Sequence, residues 1–278
     1  MSRPEHIAPA DVYYNEENAA KYARNSRNAQ IQAKMTERAI ELLALPSDQP
    51  QLILDLGCGS GLSSEIINEH GHAFIGVDLS ADMISEALDR EVDEGGDLIQ
   101  GDLAQGIPGA FRVGSFDGCI SISVLQWLLS ADNNVGEAHQ KLKRLFAGLH
   151  KCLKRGGRAV FQFYPETSEQ VELVTSCALR AGFGGGLIVD FPNSTKAKKH
   201  YLVLHAGFAA GQKAQQVSME DETVKVDQRL KKNKTTKKKT IAKKSKQWVK
   251  NKKTRQRLQG KEVRPDSKYS GRRRRGKF

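Results

Sequence analysis

Cysteine is scarce in this chain. The 4 residues, Cys58, Cys119, Cys152 and Cys177, are widely spaced and form no CxxC pair. Closed zinc sites draw on closely spaced ligand pairs, so no metal site is expected. The histidines, among them His70, His150 and His200, show no ligand spacing either. Nothing approaches the ~18 consecutive apolar residues of a membrane span, and residues 1–11 hold no apolar run that would read as a secretory signal. The expectation is an intracellular protein with reduced thiols and no membrane partner.

Apolar content is also low, at 38%, which suggests that part of the chain does not join a core. Charge shows which part. Residues 212–278 carry 25 Lys+Arg against 6 Asp+Glu, whereas residues 1–211 carry 19 against 26. The net +12 thus averages an acidic domain and a strongly basic tail. Such asymmetry points to a polyanionic partner. About 210 residues are enough to bury a sizeable core.

Apolar periodicity organises the acidic part. Residues 30–45 read as an amphipathic helix, with Ile31, Met35, Ala39, Leu42 and Leu43 on one face. Strand-like runs follow at 52–56, 73–79, 98–101, 116–123, 158–164, 187–191 and 201–205. Helix candidates lie at 60–70, 81–90, 135–153 and 168–181. Alternation of this kind implies parallel βαβ units in a doubly wound α/β sheet. The last two runs are separated by a polar stretch and no clear helix, so the final strand is expected to be antiparallel. We divide the chain into an N-terminal helical or lid segment (1–50), a core (51–211) and a basic tail (212–278).

The sharpest local signal is Asp55-Leu56-Gly57-Cys58-Gly59-Ser60-Gly61, after the first strand and before a helix. Glycines let the backbone turn tightly against a ligand, and a helix N-terminus offers free N–H groups. The dinucleotide fingerprint GxGxxG would need glycine at position 62, which is Leu62. An NAD-dependent oxidoreductase is therefore disfavoured. The spacing DxGxGxG resembles motif I of the S-adenosylmethionine-dependent methyltransferases. Asp78 and Leu79 end the second strand, where a carboxylate can accept from ribose hydroxyls. Asp102 and Leu103 follow the third, at the adenine position of that pattern. Carboxyl ends of strands are where ligands bind in open α/β sheets. The plain alternative for Asp102 or Ser80 is a helix N-cap. Cys58 reads as a small residue in a tight loop.

The fourth strand is read as continuing through Gln126-Trp127-Leu128, where such enzymes face the methyl acceptor. Trp127 offers a surface on which a base can stack, or else belongs to the core. Phe163 and Tyr164 close the fifth strand and could form the opposite wall, although Phe163 could also be core. Tyr13, Tyr14 and Tyr22 could fold over the cofactor as a lid, or simply pack on the surface.

In the tail, the Lys/Thr tract at 231–246 is expected to be disordered when unbound. With about 6–10 phosphate contacts it would lose ~10³–10⁵ in affinity between 50 and 200 mM salt. The tract and the block Arg272–Arg275 suit nuclear targeting equally well. Trp248 and Tyr269 suggest that the last thirty residues dock somewhere specific.

Taken with the glycine motif, the stretches 32–39 (QAKMTERA), 185–199 (GGLIVDFPNSTKAKK) and 266–272 (DSKYSGR) resemble the eukaryotic small-subunit (18S) rRNA guanine-N7 methyltransferases of the Williams–Beuren syndrome chromosome region. The resemblance covers nearly the whole chain. It implies a seven-stranded class I (Rossmann-like) methyltransferase fold, S-adenosylmethionine as cofactor, and rRNA within pre-ribosomal particles as substrate. It also implies a small zinc-binding activator subunit and a nuclear and nucleolar setting, with the cytoplasm as a further one. A ribosome-assembly factor whose RNA binding matters more than its chemistry is the second reading.

Overall fold

A computed structural model describes residues 3–46, 48–108, 111–130, 135–194, 197–207, 250, 252, 253, 264 and 265. The chain divides into two units, Met1–Gln215 and Gln216–Phe278. In the second, Lys253 Nζ donates to the backbone oxygen of Arg264 at 3.0 Å. The tract at 231–246, Trp248, Tyr269 and Arg272–Arg275 lie outside the described residues.

Three helices precede the sheet: α1 (Ala10–Tyr13), α2 (Glu16–Arg24) and α3 (Ser26–Leu43). The last starts four residues before the sequence-based boundary because Asn25 caps it, its side chain accepting from the Asn28 N–H. Strands β1 (Leu52–Leu56), β2 (Ala73–Asp78), β3 (Gly96–Gln100) and β4 (Phe116–Ile122) follow. Helix α4 (Leu62–Glu69) lies between β1 and β2, and α5 (Ala81–Asp89) between β2 and β3. β3 leads to β4 without a described helix between them, and α6 (Leu125–Ser130) and α7 (Val135–Cys152) follow β4. The chain then runs through β5 (Leu153–Phe163), α8 (Ser168–Arg180), β6 (Gly184–Asp190) and β7 (Lys199–His205).

The strands form one seven-stranded sheet in the order β3-β2-β1-β4-β5-β7-β6. β1 to β5 pair in parallel, and β7 pairs antiparallel with both β5 and β6. This is the expected doubly wound α/β sheet with its last strand reversed. Strand alternation sends Leu54, Cys119 and Phe161 to a core shared with α7 and α8. Ile53, Ile120 and Val160 face the opposite core, built with α3. The strand order reverses between β1 and β4, and a crevice at that switch point is where such sheets take ligands.

Among the differences from the sequence reading, two bear on the site and on the sheet edge. The chain does not continue as a strand to residue 128: β4 stops at Ile122, Ser123 takes φ 63°, and α6 begins. β6 starts three residues before the expected run, because Gly184, Gly185 and Gly186 pair with β7 despite glycine's low strand preference.

Candidate functional site

The glycine loop lies at the switch point. Gly57 and Cys58 donate to Val77 O at 2.7 and 3.2 Å, tying the loop to the end of β2. Gly57 has φ +72°, and a Cβ there would overlap Val124 Cγ2, with Val124 Cβ and Cγ1 at 3.2 Å. Backbone conformation and close approach therefore both require glycine. Cys58 is buried, and burial pushes its thiol well above the ordinary value, so it stays neutral. Gly61 starts α4 from a left-handed conformation and backs onto Val92. It shapes the loop without lining the cavity beside it.

That cavity, of about 400 Å³, is lined by Gly57, Cys58, Gly59 and Ser60 on one side and by Gln126 and Trp127 on the other. Asp78, Leu79, Asp102, Leu103 and Tyr164 line it too. Of the expected site residues, Asp55, Gly61 and Phe163 do not. Asp55 is 0% exposed, and its Oδ2 accepts from the hydroxyls of Ser63 and Ser64, each at 2.6 Å. The carboxylate therefore fastens the first turn of α4 beneath the loop. Burial pushes its carboxyl up to about 6, against the opposing pull of those two hydroxyls. Phe163 is fully buried in the core shared with α7 and α8, because the period of two along β5 puts it on the same face as Phe161. Tyr164, one residue on, reaches the cavity.

Asp78 Oδ2 accepts from the Gly59 N–H at 2.8 Å and Oδ1 from the Ser80 N–H at 2.9 Å. Burial nevertheless raises its carboxyl above the usual range. An ionised carboxylate has about four acceptor positions, so two such bonds leave room for a pair of hydroxyls. Asp102 lines the cavity while its Oδ1 also accepts from the Ala104 N–H at 2.8 Å. Residues 103–105 form a turn and no described helix follows before β4, so that bond closes a turn and is not a helix N-cap.

On the acceptor side, Ser123 fixes the direction of the chain. Its N–H donates to Gln162 O at 2.9 Å, and its hydroxyl donates to Gln162 Oε1 at the same distance. The turn after it carries Gln126 and Trp127 over the cavity. The Tyr164 hydroxyl contacts Met35 Sδ, and Lys199 Nζ sits 4.7 Å from the centre of its ring.

The N-terminal segment lies across the cavity mouth. Tyr14 and Tyr22 line the cavity, and the Tyr14 ring is 5.4 Å from that of Trp127. Tyr13 stays outside the lining but packs on Trp127 at 5.8 Å. The Ser80 hydroxyl donates to Tyr14 O at 2.7 Å, Arg3 Nη1 donates to Tyr164 O at 3.0 Å, and His6 pairs with Glu166. These ties make residues 3–14 a strap fastened to both halves of the site. Burial raises the hydroxyls of Tyr14 and Tyr22, the latter to about 12 despite its bond from Gln32, so both are neutral donors. Arg3 and Gln32 in the lining were not singled out as site residues from sequence, because an isolated polar side chain, even on a long helix such as α3, carries no periodic signal.

The donor set suits S-adenosylmethionine. A glycine loop meets a helix start, a carboxylate sits at the end of β2, and the buried Ser60 hydroxyl has no hydrogen-bond partner among the described residues. Among those residues no group of three or more His, Cys, Asp or Glu could hold a metal ion. No described helix is long and apolar enough to cross a membrane.

Residues 54–161 match the methyltransferase domain family, and residues 203–276 match the family of methyltransferases involved in Williams–Beuren syndrome. The 18S rRNA (guanine-N(7))-methyltransferase of Mus musculus is 50% identical over 99% of this chain and 98% of its own. The 18S rRNA (guanine(1575)-N(7))-methyltransferase of Saccharomyces cerevisiae is 45% identical over 100% of both chains. Among solved structures, the fold resembles magnesium protoporphyrin IX methyltransferase from Synechocystis, with S-adenosylmethionine bound, at TM-score 0.53 and 18% identity. That likeness covers 74% of this chain and 98% of the other. Identity of 45–50% with these enzymes along essentially the full length of both chains places this chain in the 18S rRNA guanine-N7 methyltransferase family.

Proposed function

We infer that this protein transfers a methyl group from S-adenosylmethionine to N7 of a guanine in small-subunit rRNA, in the course of small-subunit biogenesis. One observation carries the reading. A single cavity joins the glycine loop and Asp78 to an acceptor wall of Gln126, Trp127 and Tyr164, in a chain related to these enzymes along its full length.

The bound cofactor supplies an electrophilic methyl on a sulfonium. The chain's own residues supply position. The N–H groups of Gly57, Cys58 and Gly59 are spent on Val77 O and Asp78. The unpaired Ser60 hydroxyl would therefore hold one end of the cofactor, and Asp78 would accept from its ribose hydroxyls. Trp127 and Tyr164 offer flat faces to an unstacked base, a contact worth about 1–3 kcal/mol. Guanine N7 already carries a lone pair, so no residue has to remove a proton from it. Catalysis by orientation alone has a ceiling of about 7–11 kcal/mol in well-aligned systems. The tyrosine strap keeps water from the reacting pair. A base buried in structured RNA must be splayed out to enter.

The basic tail is read as an RNA-binding and nuclear-targeting segment, and a nuclear and nucleolar location, with the cytoplasm as a further one, is proposed with it. We also propose the small zinc-binding activator as a subunit. The free edge strand β6, with exposed Ile188 and with Phe191 just beyond it, is a candidate surface for strand addition. Co-expression should raise the melting temperature if the activator docks, and an unchanged melting curve would count against it. The function itself is tested by mapping the methylated atom in small-subunit particles.

A further inference from the structure

Gln126 is the second residue of α6, placed over the cavity by the Ser123 turn. It is 8% exposed, it lines the cavity, and its Oε1 has no hydrogen-bond partner among the described residues. Other polar groups around this wall are already used. The Ser123 hydroxyl donates to Gln162 Oε1, Gln162 Nε2 donates to Phe163 O, and the Ser121 hydroxyl donates to Leu56 O. Native interiors seldom leave a buried amide oxygen unpaired. Of the buried unpaired side-chain atoms among the described residues, Gln126 Oε1 and the Ser60 hydroxyl belong to residues that line the cavity. The terminal torsion of glutamine is soft, so the oxygen can turn to meet a donor in the cavity.

We propose that Gln126 Oε1 determines base specificity by accepting from the N1–H and N2–H2 donors of the target guanine. The inference rests on the guanine-N7 reading above. An amide oxygen can complement only donors. Guanine presents two donors on its Watson–Crick edge, where adenine presents the N1 lone pair, which would face the oxygen without a proton between them. N7 lies on the opposite side of the purine. Holding the Watson–Crick edge therefore leaves N7 free to meet the methyl group. Trp127 stacks on any base and cannot make this distinction, so discrimination falls to the neighbouring amide.

The test uses the full chain and small-subunit particles reconstituted with rRNA carrying guanine or inosine at the target position. Inosine keeps N7, O6 and N1–H and lacks only the N2 amino group. Guanine and inosine particles compete in one reaction with labelled S-adenosylmethionine, so the ratio of kcat/KM is read independently of how much of a variant is folded. Wild type is expected to prefer guanine by about tenfold, the loss of one buried hydrogen bond. In Gln126→Met, which keeps the length and removes the oxygen, the ratio should fall towards one while cofactor affinity stays within about twofold. Gln126→Glu keeps acceptor oxygens and should keep the guanine preference. A wild-type preference retained in Gln126→Met, or lost in Gln126→Glu, overturns the proposal. Wild-type label on an atom other than guanine N7 would overturn the functional reading itself and this inference with it.

Discussion

Placing alanine at Gly57 tests the coupling between the two halves of the site. The substitution acts twice. A left-handed conformation costs an L-residue about 1–2 kcal/mol. The new methyl would overlap Val124 Cγ2, with Val124 Cβ and Cγ1 at 3.2 Å, and overpacking of this kind costs about 1–3 kcal/mol. Gly57→Ala should therefore destabilise the protein by about 2–5 kcal/mol. With a slope of ~2 kcal/mol/M, the urea midpoint would move down by ~1–2.5 M. Val124 begins the turn that carries Gln126 and Trp127, so the same clash should abolish cofactor binding and displace the acceptor wall. Val124→Ala removes the obstructing methyls and alone should cost about 1 kcal/mol for a partly exposed valine. The double variant should recover most of the steric share, leaving a coupling energy of about 1–3 kcal/mol with the conformational share intact. Urea unfolding of the four proteins, with cofactor titrations by calorimetry, supplies the cycle. Additivity within about 0.5 kcal/mol would refute the claim that loop and acceptor wall are held in mutual contact.

Three further expectations follow from single groups. Burial raises the Asp55 carboxyl from 3.8 to about 6, so its stabilising contribution is present below pH ~4 and is lost as pH rises through 6. The shift is worth about 3 kcal/mol, and Asp55→Asn should flatten the stability profile over that window; an unchanged slope in urea unfolding at stepped pH would contradict it. Trp127→Ala should leave cofactor affinity nearly intact and cut turnover by roughly 10–100-fold, the value of one base stack; undiminished turnover would remove Trp127 from the base pocket. Ser80→Ala deletes both the cap of α5 and the bond to Tyr14 O. It should cost about 1 kcal/mol and speed cofactor release in stopped-flow measurements, whereas an unaltered release rate would mean that the strap does not retain the ligand.

The parts of this architecture visible in the sequence are those where local pattern and burial agree. Residues 52–56 form an apolar run closed by glycine, and β1 has those bounds. The loop and the aspartates at strand ends were legible because chemistry and position coincide there. Gln126, Trp127 and Tyr164, singled out from the sequence, line the cavity. What escaped was set by tertiary contacts. Residues 124–129 are as apolar as a strand, and the turn that makes them a helix occurs at Ser123, whose left-handed φ is held by Gln162 from another strand. Phe163, open between pocket wall and core in the sequence, lies in the core, where the period of two counted from Phe161 sends it. Asp55 looked like a ligand contact by proximity to the loop; it lies outside the cavity lining, and its Oδ2 accepts from the two serines in the first turn of α4. Their hydroxyls were the available signal, since a buried carboxylate needs donors nearby.

Methyl transfer from labelled S-adenosylmethionine to small-subunit pre-ribosomal particles, with and without the activator and followed by mapping of the modified atom, tests the central claim most directly. Label on N7 of a guanine in the small-subunit rRNA is the expected result. Label on another atom, or no transfer in either condition despite measurable cofactor binding, would contradict it.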